Sequence, residues 1–193
     1  MIYWFKVRRA HTVLPAAIVA FAILAALVQN VTIMLPSIMG RSQVALSLFI
    51  PIPLVAGLML SLESRLSSFE MSGSRPVQVL DALLVLACAG TALLSSAFVG
   101  FLFDVPQIST AGRNACFLMG LMLCGSAFAG EAAVMFPVAW LLLVVFFGFR
   151  GPGDPYPWTI IPEPRGTLHA TVGSTLLFAV GNLIQLRPSR KIS

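Results

Sequence analysis

Long apolar runs broken by short polar stretches set the pattern of this chain. Six such runs fall at roughly 14–38, 44–62, 77–103, 112–130, 132–149 and 167–186. A helix needs about 20 apolar residues to cross about 30 Å of hydrocarbon, and most of the runs are that long. The pattern therefore predicts an all-α integral membrane helical bundle of six transmembrane helices, a single transmembrane domain over 1–193. Strands of a membrane β-barrel would alternate apolar and polar positions over about ten residues, and these runs are too continuous for that. Between them lie a Gly40-Arg41-Ser42-Gln43 turn, a polar segment at 63–76, a loop at 104–111, a Gly130-Glu131 turn and a Pro-rich loop at 150–166.

Composition points the same way: 10% of the residues are charged, where a soluble domain carries about a quarter. Such a chain cannot cover itself with polar surface, whereas helices in lipid satisfy their own backbone hydrogen bonds. The basic residues assign the sides. With the amino terminus inside, Lys6, Arg8, Arg9, Arg65, Arg75, Arg187, Arg190 and Lys191 are cytoplasmic, and Arg41, Arg113, Arg150 and Arg165 are external. That bias favours an N-in, C-in topology. The net charge of +5 does not point to nucleic acid, because the basic residues sit at segment ends and never form a patch interleaved with aromatics. The basic amino terminus resembles a signal peptide in outline, but the apolar stretch runs from about Val13 to Met39, so it is read as a retained first helix. The expected location is the cell membrane, multi-pass, with the lipid bilayer as the first partner.

The runs 112–130 and 132–149 admit two arrangements, because only Gly130-Glu131 separates them. Two full spans put Glu131 at the cytoplasmic interface beside a helix start, where the macrodipole favours a carboxylate. A re-entrant hairpin buries it deep in the membrane at a cost of several kcal/mol unless it is paired. Two full spans are the expected arrangement.

Lipid provides no hydrophobic drive between helices, so tight packing relies on small residues. Gly112, Cys116, Gly120 and Cys124 recur every four residues on the fourth run, which places them along one helix face. The third run offers Ala87, Thr91, Ser95, Cys88, Ala92, Ser96 and Gly100, and the sixth Gly173 and Gly181. These three helices are expected to form the packed centre. The fifth, with Phe136, Trp140, Phe146 and Phe147, is expected to face lipid or another large apolar surface.

Candidate chemistry is sparse. Asp81 stands about one turn into the third run; an intramembrane carboxylate is a candidate for proton or cation coupling, while a first-turn carboxylate is also favoured by the dipole and within reach of interfacial water. Glu131 is the other candidate polar site. Cys116, Met119 and Cys124 offer soft ligands for a cuprous ion, but two turns separate the cysteines, and no metal site or cofactor is expected. Ser126 and His169 faintly suggest an intramembrane serine protease, yet they fall near opposite membrane faces and out of hydrogen-bond reach. The only lysines, Lys6 and Lys191, follow no glycine-rich loop, so the chain has no Walker A motif and is not expected to be an enzyme or to hydrolyse ATP alone. Tyr156 and Trp158 of the Pro-rich loop suit the headgroup region, leaving two roles for that loop: an interfacial anchor, or a lid over an outward opening.

Six spans, a basic cytoplasmic amino terminus, a short polar segment after the second span and closely spaced fourth and fifth helices resemble the membrane subunits of ABC-type exporters. The resemblance covers the whole chain and rests on topology. It implies a transport subunit working with a separate cytoplasmic ATPase and with other membrane subunits or copies of itself, moving or sensing an amphipathic or peptide-like compound. In that family the loop between the second and third spans often meets the ATPase, which implicates Glu63, Arg65 and Glu70. The alternative from another class is a non-catalytic membrane scaffold or accessory subunit of a larger complex.

Overall fold

Six α-helices carry the described residues: α1 (Ala10–Leu27), α2 (Ile52–Glu63), α3 (Val77–Leu102), α4 (Ser109–Ala129), α5 (Met135–Phe147) and α6 (Leu168–Gln185). They belong to a computed structural model that describes residues 10–28, 31–37, 40–63, 77–151 and 153–186. The fold is all-α apart from two small hairpins. Among the described residues two segments, Leu46–Glu63 and Gln78–Leu102, are long and apolar enough to cross a membrane, while His11–Leu27 and Ala132–Phe147 are apolar but shorter.

The first apolar run is not one helix over 14–38. Helix α1 stops at Leu27, and the chain turns into an antiparallel hairpin of β1 (Thr32–Ser37) and β2 (Gly40–Ala45), with Thr32 opposite Ala45 and Ser37 opposite Gly40. The β-branched run Val31-Thr32-Ile33 fits an extended backbone better than a helix, and Pro36 lacks the N–H that a helix interior needs. Residues 40–43, expected as a turn, therefore lie in β2. The second run also begins differently: Leu46–Phe49 form a 3-10 turn and α2 opens at Ile52, where Pro51 and Pro53 suit a helix start.

The remaining boundaries follow local chemistry. Gly130, at φ 54°, ends α4 with its N–H on the Ser126 carbonyl, a conformation that glycine adopts without penalty. A 3-10 turn over Gly130–Val134 leads into α5, whose Pro137 lies in the first turn, where its missing N–H is not needed. The Pro-rich loop is built from β3 (Phe149–Gly151), β4 (Asp154–Pro155) and a 3-10 turn over Pro157–Thr159.

Helix α4 is the central element. It buries 12 of its 21 residues, against 4 of 13 for α5 and 3 of 18 for α6, and it packs on α2, α3, α5 and α6, most extensively on α6 and then α3. Helix α2 also buries 7 of its 12 residues, and of the third, fourth and sixth helices, expected to form the centre, α4 packs on the other two. Its small residues explain the closeness. A Cβ added at Gly120 would stand 2.6 Å from the Phe178 nitrogen and 2.8 Å from the Leu177 carbonyl oxygen, and one at Gly181 would stand 2.8 Å from the Gly120 carbonyl oxygen. Gly112, two turns earlier, meets α3 instead, against Ser96 and the Leu93 backbone. The stripe thus winds from α3 to α6 because eight residues advance the helix face by roughly 80°.

Three connections meet at one end. The segment after β2, the loop from α3 to α4 and the loop from α5 to α6 line a single cavity, so consecutive helices alternate in direction and α4 runs parallel to α6. Away from the centre, apolar side chains point outward in helical rows: Val19, Ile23 and Leu27 on α1; Leu83, Leu86, Leu94, Phe98 and Phe101 on α3; Val172, Leu176, Val180 and Leu183 on α6. Phe101 is 86% exposed.

Candidate functional site

The long-range side-chain hydrogen bonds of Arg113 and Asn114 lie at the cavity end. A cavity of about 330 Å³ lies there, within the low part of the range of small-ligand sites. Thr32, Ser47, Leu48 and Ile50 form one wall, Gln107, Ile108, Thr110, Ala111 and Asn114 of α4 and its approach a second, and Phe149, Gly153, Pro155 and Ile161–Pro164 the cover.

Arg113, in the first turns of α4, holds that cover in place. Its guanidinium, sharing its five N–H groups in part through bifurcated bonds, reaches the carbonyl oxygens of Glu163 (2.7 Å), Ile160 (3.2 Å), Pro164 (3.2 Å) and Ile161 (3.3 Å) and Thr167 Oγ1 (3.4 Å). Nε and an Nη also reach Asn114 Oδ1 at 3.4 and 3.3 Å, which leaves Asn114 Nδ2 to donate to the Ile161 carbonyl at 3.0 Å. The pairing has a chemical logic. A proline-rich loop lacks N–H donors and leaves carbonyls to be satisfied, and a guanidinium offers five donors in a fixed fork. The Glu163 carboxylate, largely buried, lies 3.5 Å from His169 Nε2 at the start of α6.

Two further features define the cover. Ile160 has φ 56° and ψ −52°, and the Ile161 N–H donates to the Thr159 carbonyl at 2.5 Å. This is a γ-turn of the strained kind, and a β-branched residue at positive φ is an outlier. The aromatic side chains continue the contact onto the helices: Trp158 meets Trp140 of α5 edge-on at 5.9 Å, Trp140 meets Phe117 of α4 at 5.4 Å, and Arg150 caps Tyr156 at 4.7 Å. Trp140, expected to face lipid or a partner, instead links α4 to the loop, whereas Phe136, Phe146 and Phe147 are exposed.

The residues singled out from the sequence do not converge. Glu63 is the last residue of α2 and exposed, while Arg65 and Glu70 lie outside the described residues. Asp81 is 1% exposed, so the expected reach to interfacial water is not what the fold provides. Glu131 belongs to the 3-10 turn between α4 and α5. Cys116 is buried and Cys124 half-buried, and among the described residues no group of three or more His, Cys, Asp or Glu is placed to hold a metal. Ser126 donates to the Leu123 carbonyl within its own helix. His169 opens the parallel helix α6, so the two are separated by about 24 Å along the axes at 1.5 Å per residue.

Arg113 and Asn114 were the omission, since the sequence reading used Arg113 only to count charge. A signal was present: an arginine and an asparagine stand side by side at the mouth of an apolar helix, where polar groups need partners. Compared with protein-family models, with curated proteins and with solved structures, the chain finds no match.

Proposed function

We propose that this chain is a multi-pass cell-membrane protein with six crossing segments, N-in and C-in, and that it serves as the transmembrane subunit of a multi-component transporter of the ABC-exporter type, driven by a separate ATPase. The observation that carries the membrane part is the distribution of apolar side chains. Rows of exposed Leu, Val and Phe surround a centre packed through glycine, and exposed apolar surface on this scale has no place in water. Lengths agree with the bilayer: α1, α3, α4 and α6 extend roughly 27 to 39 Å at 1.5 Å per residue. The short helices α2 and α5 are lengthened by their adjoining 3-10 turns to about 26–30 Å, at 2.0 Å per residue there. With α4 long enough to cross alone, 112–149 reads as two full spans, and the Glu131 turn falls at the inner face.

The transport part rests on the cavity, which opens at the end that the basic residues assign to the outside, and on the topology shared with exporter subunits. The inner ends of α2 and α3 then flank the segment 63–76, the expected ATPase contact through Glu63, Arg65 and Glu70. A second reading, a membrane scaffold or accessory subunit, is favoured by the broad exposed face of α3 from Leu83 to Phe101, which a partner helix would cover as well as lipid does. Mass spectrometry of everything that co-purifies with the tagged chain in mild detergent separates the two. A stoichiometric nucleotide-binding protein is the expected result; recovery of integral membrane proteins alone would transfer the assignment to the scaffold.

A further inference from the structure

We propose that residues 154–165 form a hinged lid over the cavity and that Arg113 is its latch. Four observations carry this. The segment roofs the cavity through Pro155 and Ile161–Pro164. Glycines flank it on both sides, Gly153 at φ 77° and Gly166 at φ 88°, each in a conformation that side chains rarely adopt and each with open space around it, as hinge positions require. The tie to the helices at the roof is concentrated in one side chain, since Arg113 holds the carbonyls of Ile160, Ile161, Glu163 and Pro164 together. Finally, the strained turn centred on Ile160 carries the first two of those tied carbonyls, Ile160 and Ile161, and strain of this kind persists only where its surroundings enforce it.

These parts make two discrete states. In the closed state the guanidinium satisfies the loop carbonyls and the γ-turn is held in its strained form. Releasing Arg113 frees four carbonyls that water then solvates, lets Ile160 relax to negative φ, and allows the segment to swing about Gly153 and Gly166. Asn114 Nδ2 on Ile161, Trp158 on Trp140, the pairing of β4 with β3, the Tyr156 N–H on the Gly148 carbonyl and Glu163 beside His169 are the further ties that opening must break. The lid deepens the transport reading by gating the outward cavity, but its test depends on the fold alone.

The experiment uses the full chain, purified in mild detergent with Cys88, Cys116 and Cys124 replaced by alanine, and follows the reaction of a single introduced cysteine with a charged thiosulfonate reagent. Ala111→Cys, on the cavity wall beneath the lid and 2% exposed, reports opening. Leu118→Cys, fully buried in mid-α4, reports loosening of the whole bundle. Arg113→Ala is expected to raise the Ala111→Cys rate by at least about tenfold, as loss of charge-assisted hydrogen bonds implies, with Leu118→Cys unchanged. Arg113→Lys, which keeps the charge and loses the fork, is expected to fall between. An Ala111→Cys rate unaltered by either variant overturns the latch, and so does an equal acceleration at Leu118→Cys. A rate already fast in the parent overturns the lid itself. Because no ATPase enters the assay, failure of the lid leaves the transport reading to its own test.

Discussion

Replacing Gly120 with alanine tests the α4–α6 crossing on which the bundle is built. The new Cβ would lie 2.6 Å from the Phe178 nitrogen, 2.7 Å from the Leu177 carbonyl carbon and 2.8 Å from its oxygen. All three are backbone atoms of α6, so no side-chain rotation relieves the contact. Carbon contacts relax at about 3.5–4.0 Å, so the helices must separate by roughly 1 Å at their closest point. Overpacking of this kind costs about 1–3 kcal/mol. Alanine returns about 0.5–1 kcal/mol of helix propensity relative to glycine, leaving a net loss centred at about 1 kcal/mol and at most about 2.5 kcal/mol by difference. Gly90 supplies the control, because a Cβ there meets nothing within 4 Å, and Gly90→Ala is expected to gain about 0.5–1 kcal/mol. For a chain of this size each kcal/mol moves Tm by about 2–4 °C. Thermal unfolding in one detergent should therefore show the two variants on opposite sides of the parent. A Gly120→Ala protein as stable as the parent, or a Gly90→Ala protein destabilised as much, would refute the packing.

Gly181→Ala should repeat the loss from the other helix, since its Cβ meets the Gly120 carbonyl oxygen at 2.8 Å; a Tm at or above the parent's contradicts the crossing. Arg113→Ala should lower stability by about 2 kcal/mol or more through its charge-assisted hydrogen bonds. Glu163→Gln should cost clearly less, because the Glu163 backbone carbonyl, not its carboxylate, accepts the 2.7 Å bond from Arg113; equal losses in the two melts would assign the tie to the carboxylate. Glu63→Ala combined with Arg65→Ala should abolish co-purification of an ATPase subunit without reducing the amount of chain in the membrane, and unchanged association would remove the 63–76 segment from the contact.

Three helices were legible to within three residues at each end. Runs at 77–103, 112–130 and 167–186 became Val77–Leu102, Ser109–Ala129 and Leu168–Gln185, because each is bounded by proline, glycine or a polar cluster that stops a helix. The small residues on these runs also announced the centre, since only glycine at 120 and 181 permits backbones so close. The stretch from 14 to 62 was read less well. The stretch Val31–Met39 stays mostly apolar and masks the change from helix to strand, which shows in the polar pair Gln29-Asn30, in β-branching at 31–33 and in Pro36. The site was legible in part. The Pro-rich loop stood out by composition, but its partner did not, because the match between an arginine on α4 and carbonyls about 50 residues later exists only in three dimensions. Counting Arg113 as a topology charge was consistent with its place at the helix mouth and silent about its hydrogen bonds.

The most direct test of the six-span arrangement is side-specific labelling of single cysteines in intact cells with a membrane-impermeant maleimide, on a background lacking Cys88, Cys116 and Cys124. Asp154→Cys, exposed beside the cavity cover, should label in intact cells, and Ala132→Cys, exposed in the turn between α4 and α5, should label only after permeabilisation. Labelling of both positions in intact cells, or recovery of the chain from the soluble fraction, would contradict the membrane arrangement proposed for this fold.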